Sequence, residues 1–315
     1  MSVTSGSISA GSDGLVAILL AGGRGTRLGD LTAQQSKPAV NFLDGRRIVD
    51  FVMANALRSG IDPLLVCTQW KPDTLVGHLE DNWSAGFPRG LAIRDGAAMA
   101  PATGYLGTAH AVACNAAEID ASGARQVLVL AADHIYDMDY REMLAAHRTM
   151  GLPVTVATLP VAREEARSFG VFETRGPCHA LRFLEKPDDP PPMYGHPDRA
   201  MISMGIYVFD WAWLREALGC GARPLAVPPL DFGHDLLPFA VERGEVGVHC
   251  FARKDSSEPP YWRDVGTTKA LAEARADFAR KAAPFALPRF PSAARRQPVA
   301  SLQDRACTVP PHLSV

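Results

Sequence analysis

The sequence lacks the usual features of membrane, secreted and nucleic-acid-binding proteins. No apolar run approaches the roughly 20 residues that a membrane-spanning helix needs. Residues 1–13 are rich in serine and glycine, without the basic start and apolar stretch of a signal peptide. The 34 acidic and 32 basic residues give a formal net charge of −2. The net charge therefore gives no general reason to expect nucleic acid or anionic membranes as partners. We therefore expect a cytoplasmic protein with neither kind of partner.

The six cysteines form no recognisable pattern. None belongs to a Cys-x-x-Cys pair, and none lies at zinc-ligand spacing from a histidine. The sequence therefore indicates neither a disulfide framework nor a zinc site, and we expect reduced, mostly buried thiols. The cysteines are Cys67, Cys114, Cys178, Cys220, Cys250 and Cys307.

Short apolar runs alternate with amphipathic segments. A chain of 315 residues, 47% of them hydrophobic, can bury a sizeable core as one large domain or two smaller ones. Apolar runs typical of strands buried on both faces lie at residues 15–20, 64–67, 127–132, 154–159 and 205–209. Helical periodicity occupies residues 48–59 and 139–150. The alternation predicts an α/β fold with a doubly wound, mostly parallel sheet that binds ligands at the carboxyl ends of its strands.

A glycine-rich loop follows the first apolar run. Glycines between a strand and a helix let backbone N–H groups approach phosphate oxygens. A dinucleotide fingerprint would need glycine at Leu28, and a Walker A loop would need Gly-Lys-Ser/Thr, so neither pattern fits. The glycines alone could form only a tight turn. However, Arg24, Arg27 and Lys37 add three fixed positive charges nearby, as a polyphosphate ligand requires.

This loop resembles the N-terminal signature of sugar-1-phosphate nucleotidyltransferases, a family with a Rossmann-like fold. The resemblance rests on Gly-Gly-Arg-Gly-Thr-Arg-Leu at 22–28, Leu-Thr at 31–32 and Lys-Pro-Ala-Val at 37–40. Arg-Ile-Val-Asp-Phe at 47–51, Asn55 and Ser-Gly-Ile at 59–61 are similar to the bacterial ADP-glucose pyrophosphorylase branch (glucose-1-phosphate adenylyltransferases). This resemblance implies synthesis of ADP-glucose and pyrophosphate from ATP and glucose 1-phosphate, the first committed step of glycogen synthesis. The implied catalytic residues are Arg27, Lys37 and Asp133, and the implied nucleotide-binding residues in this loop are Gly22, Gly23, Gly25 and Thr26.

Two aspartates match the family's metal-binding positions. Asp133 follows the third apolar run in Ala-Asp-His-Ile-Tyr at 132–136, and Asp264 lies in Tyr-Trp-Arg-Asp-Val-Gly-Thr at 261–267. Read alone, the first could be a helix cap and the second part of a buried aromatic turn. The resemblance implies that both carboxylates bind Mg²⁺, which suits metal-assisted phosphoryl chemistry.

Further motifs match the substrate side of the family's site. Phe-Leu-Glu-Lys-Pro at 183–187 and Ser-Met-Gly-Ile-Tyr at 203–207 imply that Lys186 binds the sugar phosphate and that Glu185 and Ser203 bind sugar hydroxyls. Without the resemblance, Glu185 and Lys186 would be an ordinary solvated charge pair. The segment 104–111 matches the nucleotide-side loop in part, and it offers Tyr105 and Gly107 as nucleotide-binding candidates.

The chain departs from the family in its regulatory parts. Family members usually continue into a β-helix of hexapeptide repeats, whereas residues 283–315 contain no repeat array. We expect a disordered tail at 1–14, a catalytic domain at 15–282 and an extended tail at 283–315 that retains at most a remnant of the β-helix. The sequence is compatible with a homo-oligomer, but we do not expect the tetramer contacts of the family. Gln34 and Gln35 replace basic residues associated with activator binding, so we expect weak or no activation by sugar phosphates.

Two alternatives remain open from the sequence. One is a non-catalytic or decayed binding subunit, which Gly104, Leu106 and the missing β-helix favour. The other is an active enzyme that uses dTTP, UTP or GTP, because the sequence does not show the contacts that select the base.

Overall fold

A mixed nine-stranded sheet forms the centre of the protein. The computed structural model describes residues 8–11, 13–176, 178–221, 228–252 and 260–291. Its strands are β1 (Leu15–Leu20), β2 (Asn41–Leu43), β3 (Arg46–Arg47), β4 (Leu64–Thr68), β5 (Leu91–Asp95), β6 (Gln126–Ala131), β7 (His134–Tyr136), β8 (Val154–Ala162), β9 (Gly170–Arg175), β10 (His179–Glu185), β11 (Arg199–Asp210), β12 (Val246–Cys250) and β13 (Trp262–Asp264). The order in the large sheet is β5-β4-β1-β6-β11-β8-β12-β10-β9.

The predicted α/β fold is confirmed, and all five predicted strands are present. Strands β5, β4, β1 and β6 are parallel neighbours, and β8 is parallel to β12. The fifth predicted strand, β11, runs antiparallel to both β6 and β8, and β10 is antiparallel to β9 and β12. The parallel prediction therefore holds for one half of the sheet. An apolar run does not indicate the direction of a strand, so the sequence could not predict which half of the sheet is parallel.

Helices cover both faces of the sheet. They are α1 (Val49–Arg58), α2 (Asp73–Asn82), α3 (Gly96–Met99), α4 (Thr108–Cys114), α5 (Ala116–Ser122), α6 (Tyr140–Met150), α7 (Arg163–Ala166), α8 (Trp211–Ala217), α9 (Leu237–Glu242) and α10 (Thr268–Ala279). The two predicted helices correspond to α1 and α6. Helix α6 begins after Asp139, whose carboxylate accepts a hydrogen bond from the Arg141 N–H. No helix in the described residues is long and apolar enough to cross a membrane.

Alternate residues of β1 enter two separate cores. Leu15, Ala17 and Leu19 belong to the core beneath α1, α2 and α6, whereas Val16 and Ile18 belong to the core beneath α4, α5, α8 and α9. This follows from the two-residue period of a strand, which points successive side chains to opposite faces of a sheet. The sheet is therefore sandwiched between helices, the doubly wound arrangement that the sequence predicts.

The structure describes parts of both predicted tails. Ile8 is only 6% exposed and packs in one of the cores, and the Ala10 N–H donates to the Ser122 carbonyl at 2.9 Å. Near the other end, Phe285 packs among aromatic rings that include Phe51, and Phe290 packs against Trp83. Residues 8–11 and 284–291 thus contact the body of the domain. The other tail residues, including the predicted β-helix remnant, lie outside the described residues.

The prediction of mostly buried cysteines is wrong for most of those described. Cys67 is buried, but Cys114, Cys220 and Cys250 are half-buried and Cys178 is exposed. Cys307 lies outside the described residues.

Candidate active site

A cleft of about 680 Å³ opens at the carboxyl ends of β1 and β6. All thirteen site residues predicted from the sequence line this one cleft, although they come from six separate segments of the chain. Parallel neighbouring strands end at the same edge of a sheet, which brings the glycine loop after β1 beside Asp133 after β6. The residues are Gly22, Gly23, Gly25, Thr26, Arg27, Lys37, Tyr105, Gly107, Asp133, Glu185, Lys186, Ser203 and Asp264.

The glycine loop lies directly against Lys37. Gly25 has φ +65°, and a Cβ there would lie 2.7 Å from the Cβ of Lys37. Both the backbone conformation and the space therefore require glycine. The Gly25 carbonyl accepts a hydrogen bond from the Thr32 hydroxyl at 3.0 Å, which closes the short 3-10 turns of Thr26–Thr32 onto the loop. These contacts fix the loop relative to the lysine.

Lys37 joins the two predicted metal-binding aspartates. Its ammonium donates to Asp133 Oδ2 at 3.0 Å and to Asp264 Oδ1 at 2.9 Å, and its side chain is only 6% exposed. Asp264 reaches this position because β13 pairs with β7, with Asp264 opposite His134. The sequence predicts Lys37 beside the nucleotide phosphates. The structure also gives it two carboxylate partners, which the motif alone did not reveal.

The remaining oxygens of the two carboxylates also face basic groups. Asp133 Oδ1 is 3.6 Å from His134 Nε2, and Asp264 Oδ2 is 3.9 Å from the Arg27 guanidinium. Burial alone would raise the pKa of Asp133, but the electrostatic effects of His134 and Lys37 outweigh it and lower the pKa to about 2. Asp133 is therefore a carboxylate, the form that binds a cation, throughout the neutral range.

Asp133, Asp264 and His134 are the described residues best placed to hold a metal ion. Each offers one ligand atom, and these atoms lie within 4.8 Å of one another. The two carboxylates are 131 residues apart in the sequence and face the same cleft. Mg²⁺ is commonly held by one or two carboxylates together with substrate phosphates, so this donor set fits a divalent cation.

The predicted sugar-side residues lie together at another part of the cleft. Lys186 Nζ is 2.8 Å from Glu185 Oε1, and Lys186 has the left-handed backbone conformation with φ +46°. The other oxygen of Glu185 lies close to two glycines, because a Cβ on Gly233 would be 2.9 Å from it and a Cβ on Gly170 would be 3.0 Å from it. A glycine at the start of β9 and a glycine in the helical turn Phe232–Leu236 therefore leave room for this carboxylate.

Ser203 lies where β11 departs from regular pairing. The register with β8 shifts between Ser203 and Tyr207, and Gly205 between them has φ +70°. The Ser203 hydroxyl accepts a hydrogen bond from the Gly205 N–H at 3.3 Å. This irregularity turns the serine toward the cleft beside Tyr207.

The nucleotide-side loop is fixed by internal hydrogen bonds. The Tyr105 hydroxyl donates to the Arg94 carbonyl at 3.3 Å and accepts from the Asn115 amide at 3.1 Å, and burial raises the Tyr105 pKa. The Gln69 amide accepts from the Tyr105 N–H and donates to its carbonyl at 3.1 Å. Tyr105 therefore supports the loop from behind, while the loop itself borders the cleft.

Several cleft residues were not identified as site candidates from the sequence. Asp231 accepts a hydrogen bond from the Thr108 hydroxyl at 2.9 Å, which ties the segment after residue 228 to the nucleotide-side loop. Tyr207 lay inside a motif that the sequence revealed, but Asp231 had no such signal because its contact partner is 123 residues away. Further cleft residues of this kind include Gln69, His134, Tyr207 and Phe232.

Known proteins that are similar in sequence to this chain include glucose-1-phosphate adenylyltransferases. A glucose-1-phosphate adenylyltransferase from Jannaschia sp. (strain CCS1) is 43% identical over 267 residues, which are 82% of this chain and 64% of the relative. The enzyme of that name from Rhodopseudomonas palustris (strain HaA2) is 42% identical over 276 residues, 84% of this chain and 64% of the relative. The chain thus spans about 64% of the length of these relatives.

The sequence model of the Nucleotidyl transferase family matches residues 16–281. This range runs from the second residue of β1 past β13 and includes every residue that we assign to the cleft. The glycine loop, the paired aspartates and the sugar-side motif thus all fall within the match, and the chain belongs to the nucleotidyl transferase family.

Proposed function

We propose that the protein transfers the adenylyl group of ATP to glucose 1-phosphate, forming ADP-glucose and pyrophosphate. The observation that carries this proposal is the half-buried pair Asp133 and Asp264, joined by Lys37, in a cleft that the glycine loop and Lys186 also line. Such a cleft offers cationic or N–H groups to two phosphorylated substrates at once. The relatives named above carry the same activity in their names.

The proposed reaction needs no protein nucleophile. A phosphate oxygen of glucose 1-phosphate attacks the α-phosphorus of ATP, forming a new P–O bond. The bond from the α-phosphorus to the oxygen that bridges the α- and β-phosphates breaks, and pyrophosphate leaves with that electron pair. Because the attacking phosphate is already ionised, the protein contributes positioning and charge stabilisation.

The residues divide this work by position. The N–H groups of the glycine loop and the exposed Arg27 guanidinium bind the β- and γ-phosphates and stabilise the charge on the departing pyrophosphate. Lys37 lies between this loop and the carboxylates, where it contacts the α-phosphate. Lys186 holds the phosphate of the sugar, and Glu185 accepts hydrogen bonds from its hydroxyls.

Asp133 and Asp264 would hold Mg²⁺, the cation that the resemblance implies. When bound there, Mg²⁺ supplies Lewis-acid polarisation of a phosphoryl oxygen. The contribution of Asp133 is to stay ionised, which its lowered pKa ensures at neutral pH.

Product analysis with a panel of nucleotides tests the proposal. Purified protein is incubated with glucose 1-phosphate, Mg²⁺ and ATP, dTTP, UTP or GTP in turn, and pyrophosphate release and the sugar nucleotide are both measured. We expect ADP-glucose as the main product. Efficient formation of another sugar nucleotide would overturn the choice of ATP, and absence of product with all four would favour a non-catalytic binding subunit.

A further inference from the structure

We propose that the Lys37 ammonium competes with the divalent cation for Asp133 and Asp264, so that the metal binds together with the nucleotide rather than before it. In the nucleotide-free protein the ammonium holds the two carboxylates together. The phosphates of the arriving metal–nucleotide complex then offer Lys37 other partners. This inference rests on the proposed function, because it concerns the metal and nucleotide of that reaction.

The contacts of Lys37 carry the argument. Its ammonium lies within 3.0 Å of one oxygen of each aspartate, and its side chain is almost wholly removed from water. A buried ammonium without anionic partners is strongly disfavoured, so Lys37 cannot leave the carboxylates unless other anions replace them. A cation that binds the same oxygens must therefore arrive with an anion for Lys37.

The local charge balance leads to the same conclusion. The two carboxylates carry two negative charges, and the ammonium of Lys37 and the guanidinium of Arg27 carry two positive charges beside them. A dication added to this balanced group would be repelled by both cations. The negative charges of a triphosphate offset that repulsion, so metal and nucleotide stabilise each other's binding.

The backbone around Lys37 favours a movement of the side chain alone. Lys37 begins a short 3-10 turn that continues with Pro38, and its Cβ lies against Gly25. The first part of the side chain is therefore fixed between the turn and the glycine loop. Lys37 lines the same cleft as Gly25 and Thr26, beside which the phosphates are proposed to bind. Side-chain rotation is sufficient to transfer it from the carboxylates to a phosphate.

Direct measurement of Mn²⁺ binding to nucleotide-free protein tests the proposal. Free Mn²⁺ is counted by its electron paramagnetic resonance signal, so the readout does not depend on turnover. Lys37→Met removes the competing charge, and we expect it to bind Mn²⁺ at least about tenfold more tightly than the wild type, which lies within the usual range of coupling between two ligands. In thermal unfolding, Mn²⁺ should likewise raise the melting temperature of Lys37→Met more than that of the wild type.

Three variants serve as controls. Lys37→Arg keeps the charge and should bind Mn²⁺ as weakly as the wild type. Lys269→Met removes one positive charge from an exposed lysine that pairs with Glu273, and it should leave the Mn²⁺ affinity unchanged. Adding Asp133→Asn to Lys37→Met should abolish the gain, because it removes a carboxylate that the lysine and the metal share.

The proposal is overturned if Lys37→Met binds Mn²⁺ no more tightly than the wild type, or if its gain survives Asp133→Asn. Lys37→Gln replaces Lys37→Met if the latter does not fold. If neither variant folds, Mn²⁺ binding to the wild type is measured with and without α,β-methylene-ATP. Weak Mn²⁺ binding alone and tighter binding in the ternary complex support competition, whereas equally tight binding in both states contradicts it.

These outcomes are distinct from failure of the proposed function. If the wild type makes ADP-glucose but Lys37→Met gains no Mn²⁺ affinity, the competition is wrong and the activity stands. If no nucleotide is turned over but Lys37→Met gains affinity, the competition stands and the activity is wrong.

Discussion

Replacing Gly107 with alanine would push apart the two segments that border the cleft. The backbone of Gly107 is fully extended, so alanine would cause no conformational strain of its own. However, the new Cβ would lie 2.2 Å from the carbonyl oxygen of Leu230 and 2.8 Å from its carbon. The shorter contact would have to lengthen to at least 3.0 Å, a movement of about 0.8 Å. Because the obstacle is backbone, no side-chain rotation can relieve it.

The displaced carbonyl is part of a hydrogen-bonded junction. It accepts from the Ala109 N–H at 2.9 Å and from the His110 N–H at 3.1 Å at the start of α4. Overpacking typically costs about 1–3 kcal/mol and the loss of one of these hydrogen bonds about 1 kcal/mol more, so we expect Gly107→Ala to lower the free energy of unfolding by about 2–4 kcal/mol. The KM values for both substrates should rise, because the nucleotide-side loop and the segment that contains Asp231 separate.

Gly77→Ala is a matched control. Gly77 lies inside α2, and a Cβ there would meet nothing within 4 Å. The same chemical change should raise the free energy of unfolding by about 0.5–1 kcal/mol, because alanine favours the helix over glycine. Urea unfolding and steady-state kinetics measure both effects. If Gly107→Ala matched the wild type in stability and in both KM values, the reasoning would be refuted.

Three further predictions concern single groups. Lys186→Ala should raise the KM for glucose 1-phosphate far more than the KM for ATP; equal rises in initial-rate kinetics would contradict a sugar-side role. Hexose phosphates should leave the rate nearly unchanged, because Gln34 and Gln35 carry no charge, and strong activation would refute this. Burial lowers the pKa of His147 below 6.5 despite the opposing effect of Asp210. The unfolded chain therefore binds a proton first as the pH falls below about 6.5, which reduces stability. Urea unfolding at about pH 7 and about pH 5 measures this effect. The free energy of unfolding of His147→Gln should fall less over this range than that of the wild type, and an equal fall would exclude His147 as the cause.

The sequence predicted the elements that depend on local pattern. The bounds of β1 were predicted without error, because a short, continuous apolar run between glycines is typical of a strand buried on both faces. The glycine loop and Asp133 were predicted at one edge of the sheet, because both follow strands of parallel type. Neither prediction required any knowledge of distant pairing.

Features that depend on distant pairing could not be predicted. The antiparallel direction of β11 is decided by its neighbours β6 and β8. The contacts of Lys37 with Asp133 and Asp264 span 96 and 227 residues of sequence, and the pairing of β13 with β7 creates one of them. The sequence thus indicated residues that line one cleft but not how they contact one another. Their individual roles stay predictions.

The central claim is that Asp133 and Asp264 form the centre at which the α-phosphorus is transferred. ATP labelled with ³²P at the α-phosphate, incubated with glucose 1-phosphate and Mg²⁺, tests it most directly. The wild type should transfer the label to ADP-glucose, and unlabelled pyrophosphate should appear in equal amount. Asp133→Asn should fold normally yet lose turnover by at least about 10²–10³-fold, the usual cost of removing an electrostatic stabiliser. Label that stays in ATP with the wild type, or near-normal transfer by Asp133→Asn, would contradict the account.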